Sequence, residues 1–162
     1  RITSIKRSQI IVIEGIHALN DELTPQIRQH QKFKIFVCPV TALKVSKESG
    51  VDPIDHRMLR RMVRDNQFRG RKASATIVGW PKVRAGEDKY IFPSASGAAY
   101  TISSTMPYEV GMLKPYLEKI LGEMDENDKN SHKAKAILEK IKGIQALPRD
   151  YISENSLYNE FI

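Results

Sequence analysis

The sequence predicts an α/β layer fold, a parallel sheet flanked by helices. Three observations predict it. QIIVIEG (Gln9–Gly15) and FKIFVC (Phe33–Cys38) are short apolar runs rich in β-branched and aromatic residues. Such runs read as strands covered on both faces, as in a parallel sheet. From Asp52 onward the apolar residues recur at helical spacing instead. The two patterns alternate along the chain, which is the signature of layered α/β architecture.

Taken in order, DELTPQIRQHQ after the first run is a short connecting helix or loop. PVTALKVSKESGVDP is a polar loop punctuated by Gly50 and Pro53. A helix follows, with Asp52 and Asp55 as N-cap candidates and Gly70 as its stop. The spacing predicts a second helix from Ser74 to Gly86, kinked at Pro81. KYIFPSASGAAYTISS reads as a loop entering a short strand at Tyr100–Ser103. YEVGMLKPYLEKILGEM is a helix interrupted or bent at Pro115. HKAKAILEKIKGI is amphipathic, with Ala134, Ile137, Leu138 and Ile141 on its apolar face. ISENSLYNEFI ends in a last helical turn. This organisation gives a main domain over 1–124 and a C-terminal helical extension over 125–162. Only two or three strands are visible, so the remaining strands of a doubly wound sheet are expected upstream of Arg1, and the chain reads as part of a longer protein.

At 162 residues the chain can build a core, and 41% hydrophobic with 28% charged residues is ordinary globular composition. Lys and Arg number 26 against 19 Asp and Glu, a net charge of +7, which favours anionic partners. The single Cys38 excludes an internal disulfide and suits a reducing, cytoplasmic setting. No apolar run approaches the roughly 18 residues of a membrane span. The start RITSIKRSQIIVIEG does not read as a signal peptide, because its apolar run is short and ends in an acid.

The charge is concentrated. Six arginines fall between Arg57 and Arg71. On a helix advancing roughly 100° per residue, Arg57, Arg60, Arg61 and Arg64 share an arc of about 100°. Met58, Leu59, Met62 and Val63 occupy the opposite arc. Like charges at this spacing repel, and no acid lies within the arc to compensate; Asp65 is just beside it. Arg69 and Arg71 flank Gly70, where the backbone is free to turn. Arginine suits forked phosphate recognition better than lysine. The plain alternative is a solvated basic face.

Glu14 closes the first apolar run and precedes Gly15. At the carboxyl end of a strand in an open α/β sheet, where ligands bind, a carboxylate can help hold Mg²⁺. His17 nearby could bind an anion or simply pack. The chain holds no G-x-x-x-x-G-K-[ST] phosphate loop and no G-x-S-x-G elbow, and its one Cys and four His are scattered.

VIEGIHALN, RRMVRDNQFRGR, WPKVRAGEDKYIFP, YEVGMLKPYLE and NSLYNEFI, in this order, resemble the uridine kinase/phosphoribulokinase family of P-loop kinases, closest to its long nucleoside-kinase branch. The resemblance covers nearly the whole chain and places it as the half that follows the P-loop. It implies transfer of the γ-phosphate of ATP or GTP, with Mg²⁺, to the 5′-hydroxyl of a uridine- or cytidine-type nucleoside. Glu14 then matches the acid that helps hold Mg²⁺. Arg64 and Arg69 match lid arginines on the nucleotide phosphates, catalytic in role, and Arg61 and Arg71 match positions that reach the nucleoside. Where the family has an Ala-Asp pair after FP, this chain has Ala98-Ala99. That missing acid keeps an altered, kinase-like nucleotide-binding domain in view. A basic nucleic-acid-binding module is the reading from another class; the arginines share a helix with an apolar stripe, and Phe68 is the only aromatic among them. The expected partners are a nucleoside and a nucleotide, with no membrane, and with a homo-oligomer left open.

Overall fold

The computed structural model describes residues 4–44 and 50–162. The chain divides into two compact units, Arg1–Phe36 with Ala85–Thr101, and Val37–Arg84 with Ile102–Ile162. It is α/β. β1 (Ile35–Cys38) and β4 (Tyr100–Ser103) pair as a two-stranded sheet. The bonds Ala99 N–H to Lys34 O and Ser104 N–H to Cys38 O advance in the same sense along both segments, so the pair is parallel. β2 (Leu43–Lys44) and β3 (Gly50–Val51) form a small antiparallel pair inside the expected polar loop, whose residues 45–49 lie outside the described residues.

In the first unit the expected strand at Gln9–Gly15 does not form. Residues 9–14 have no regular structure, and Ile10 and Val12 are 90% and 86% exposed. A strand covered on both faces needs a hydrogen-bonded neighbour. Among the described residues no backbone bond joins residues 10–14 to another segment. The run therefore has the composition of a buried strand without the partners that bury one. β1 is shorter than Phe33–Cys38 and is covered on one face: Phe36 and Cys38 are part-buried and buried, while Ile35 and Val37 on the opposite face are exposed. The connection after Glu14 folds into 3-10 turns at Asp21–Leu23 and Gln29–Gln31. Asp21 gathers Lys32 (3.0 Å) and Lys34 (2.7 Å). The Lys34 and Lys32 ammonium groups hold its carboxyl well below the usual range. In the expected loop between Lys89 and the strand at Tyr100 there is instead a π-helical turn, Glu87–Ile91, running into α3 (Phe92–Ala95), where Phe92 meets Phe36 edge to face at 6.3 Å.

The second unit holds the core. α1 (Pro53–Arg69), α4 (Glu109–Gly122) and α5 (Ser131–Ile141) contribute Leu59, Met62 and Val63, then Val110, Leu113 and Leu117, then Ala134, Ile137 and Ile141. α2 (Ala73–Gly86) begins here and adds Ala73 and Ile77; Pro81 lies within it. The C-terminal turn Leu157–Glu160 brings Tyr158, Phe161 and Ile162 into the same cluster. Each fully buried Leu or Met contributes about 1.5–3 kcal/mol. Pro115 is accommodated inside α4 without ending it. At Gly111 a Cβ would stand 2.6 Å from Gln145 O, so the chain after α5 crosses α4 where only glycine fits.

Candidate phosphate-binding arginine cluster

α1 positions the arginines. Its start is fixed by the Asp52 carboxylate accepting the Asp55 N–H at 2.8 Å, with Pro53 in the first turn. Its end is fixed by Gly70, left-handed at φ 60°. There the Arg71 N–H returns to Asp65 O at 3.0 Å. This turn folds Arg69 and Arg71 back on the last helical residues. Leu59, Met62 and Val63 face the core, as the periodicity expects.

The basic face is not uniform. Arg60, expected in solvent with its neighbours, is buried. Its guanidinium donates to both oxygens of Glu109, one of them at 2.7 Å, and to Ser104 Oγ at 3.0 Å. It also lies 5.3 Å from the centre of the Phe161 ring. His56 Nε2 stands 2.7 Å from Glu109 Oε2. Burial works to raise the Glu109 carboxyl, but the Arg60 hydrogen bonds and the His56 contact outweigh it and hold it below the ordinary glutamate range. Arg60 thus ties α1 to α4 and to the C-terminal residues. Arg57 is part-buried and donates to Pro53 O.

Farther along the helix the arrangement opens. Asp65 is fully buried. Arg69 Nη1 donates to its Oδ1 at 2.7 Å, Arg61 Nε stands 3.3 Å from Oδ2, and Arg71 Nη1 stands 3.8 Å from Oδ2. Contrary to the expectation of an uncompensated face, one acid serves three arginines. Three guanidiniums around one carboxylate still leave two positive charges over. Their side chains keep 30%, 56% and 47% exposure in the order Arg61, Arg69, Arg71, so each has one side held and another in water. Arg64 is half-buried, and its Nε has no hydrogen-bond partner among the described residues. Arg71 also lines an open groove of about 390 Å³ with Ser74, Ala75, Val78, Gly79, Asp128, Lys129 and Asn130.

The structure therefore brings Arg61, Arg69 and Arg71 together, with Arg64 on the same helix. Glu14 is exposed and belongs to the other unit, and Gly15 after it turns at φ 145°. Among the described residues no group of three or more His, Cys, Asp or Glu could hold a metal. Glu14 is a lone exposed carboxylate, an oxygen donor of the kind that Mg²⁺ bridging phosphates takes one or two of. Glu109 and His56 went unremarked in the sequence, and Asp65 was placed beside the arginine arc and not as the acid that gathers it. Asp65 had a signal, since Arg61 and Arg69 lie four residues to either side of it. Glu109 had none, because its partner is 49 residues away.

The model of the family described as "Phosphoribulokinase / Uridine kinase family" matches residues 2–110, which include the whole arginine segment. No curated protein and no solved structure matches the chain.

Proposed function

The chain belongs to the phosphoribulokinase/uridine kinase family, and from that premise we propose that it carries the phosphate-gripping arginines of a nucleoside kinase. The reaction moves the γ-phosphate of ATP or GTP to the 5′-hydroxyl of a uridine- or cytidine-type nucleoside. The observation that carries this reading is the array around Asp65, with surplus positive charge on half-exposed guanidiniums. In phosphoryl transfer, charge spreads over the oxygens of the moving group, and catalysis is chiefly positioning and neutralisation. Guanidiniums presented as forks suit those oxygens. Arg64 and Arg69 bind the nucleotide phosphates, and Arg61 and Arg71 reach the nucleoside. Mg²⁺, when bound, neutralises the phosphates; Glu14 is the carboxylate that would help hold it.

A second reading has one observation in its favour. Just before β4, Ala98-Ala99 stands where the family resemblance leads one to expect an Ala-Asp pair, and a domain altered there would bind nucleotide without turning it over. One assay separates the two. The intact protein is incubated with Mg-ATP and a panel of nucleosides. Nucleoside 5′-monophosphate formed in step with ADP supports the kinase reading. Nucleotide binding with no product supports the second, and neither overturns both.

A further inference from the structure

Resting on the kinase reading, we infer that Asp65 is a positioning residue, whose buried carboxylate sets Arg61, Arg69 and Arg71 in one array before any anion arrives. Three observations carry this. Asp65 is fully buried, and a carboxylate in that setting must be paired. Its ion-pair partners are three guanidiniums drawn from both sides of the Gly70 turn: Arg69 on α1 hydrogen-bonds Oδ1, and Arg61 on α1 and Arg71 beyond it lie 3.3 and 3.8 Å from Oδ2, which accepts no hydrogen bond among the described residues. Its own backbone carbonyl accepts the Arg71 N–H at 3.0 Å, so the same residue fixes the turn and the side chains on it.

The chemistry follows from the geometry. A free arginine samples many rotamers, and a ligand that binds it must order the side chain. Here that ordering is done by an internal anion of one charge. A phosphate chain carries several negative charges and meets the exposed side of the array, so it binds a cluster already aimed. Arg69 sits one turn after Asp65 and Arg61 one turn before, so the carboxylate is the shared point from which their forks diverge.

A structural anchor for the end of α1 would use the same bonds, so the test needs a readout that anchoring alone does not move. In the intact protein, Asp65→Asn keeps the shape and removes the charge. Misplacing catalytic groups by about an ångström costs up to about 100-fold in rate, and kcat for Asp65→Asn should fall on that scale at temperatures where circular dichroism shows it folded. Arg69→Ala is measured beside it. If Arg69→Ala loses turnover while folded Asp65→Asn keeps wild-type kcat and KM, the inference is wrong and the kinase reading stands. If Arg69→Ala keeps full turnover, the kinase reading itself fails. Should Asp65→Asn not fold, the unmutated protein decides by NMR of arginine side chains without nucleotide. Slow guanidinium rotation at Arg61 and Arg69 is expected; free rotation at both overturns the proposal.

Discussion

Arg60 and Glu109 form a buried ion pair, with Arg60 Nη2 donating to Glu109 Oε2 at 2.7 Å across 49 residues of sequence. The relationship divides the arginines of α1 into two kinds. Arg60 is held inside, by Glu109, Ser104 and the Phe161 ring. Arg61, Arg69 and Arg71 are held from one side by Asp65 and face water on the other. One helix therefore serves the core and presents a charged surface with the same residue type.

The division predicts unequal outcomes for Arg60→Ala and Arg69→Ala in thermal melts. Removing one partner of a buried pair leaves the other charge uncompensated and costs about 3–5 kcal/mol, so Arg60→Ala should melt far below wild type. Arg69 is 56% exposed but makes the hydrogen bond to the buried Asp65 carboxylate, while Arg61 and Arg71 stay at ion-pair distance, so its loss should cost less than that of Arg60, about 1–3 kcal/mol. Similar melting of the two variants would contradict this division.

How much of this was legible in the sequence depends on the range of the interaction. The limits of α1 follow from Asp52, Pro53 and Gly70, whose effects are local, and its buried face follows from the spacing of Leu59, Met62 and Val63. The burial of Arg60 was not legible, since its partner lies on another helix and arginine is ordinarily exposed. Ile10–Ile13 shows the opposite failure: composition promised a buried strand, but burial depends on neighbours, and none pairs with it among the described residues. The charge cluster was legible as a concentration of cations. Its organisation by Asp65 was legible in part: Arg61 and Arg69 lie four residues to either side of it, but the return of Arg71 through the Gly70 turn is a three-dimensional fact.

Glu109 gives a pH dependence with a definite sign. Its carboxyl is held below the ordinary value of 4.5, the net result of opposed burial and bonding to Arg60 and His56. A depressed folded pKa adds stability that is fully present above the unfolded value and lost as pH falls through the folded one. Melting temperature should therefore decline below about pH 4.5. In Glu109→Gln the protein should be less stable at pH 7, with the gap to wild type narrowing as pH falls. A gap that stays constant from pH 7 to 3 would remove Glu109 from this role.

Met62 faces away from the arginines and is fully buried. Met62→Ala should cost about 2–5 kcal/mol by leaving a cavity. In the intact protein its KM for nucleotide should stay near wild type wherever the variant is folded. A loss of nucleotide affinity without a loss of stability would show that this face reaches the site.

The chain contains no G-x-x-x-x-G-K-[ST] segment to wrap a triphosphate. Residues 1–162 alone should bind Mg-ATP weakly or undetectably by calorimetry. Tight, Mg²⁺-dependent binding to this chain would mean that the phosphate site has been placed wrongly.

The central claim is that the half-exposed arginines around Asp65 act on phosphate, and steady-state kinetics of Arg69→Ala and Arg69→Lys in the intact protein test it most directly. Arginines on a transferring phosphoryl group contribute about 10³-fold or more when they act as fingers; Arg69→Ala should lose much of kcat within that scale at temperatures where the variant is still folded. Arg69→Lys should recover only part of the rate, because an ammonium cannot make the forked contact. Wild-type turnover in Arg69→Ala would contradict the account and make the cluster a solvated basic face.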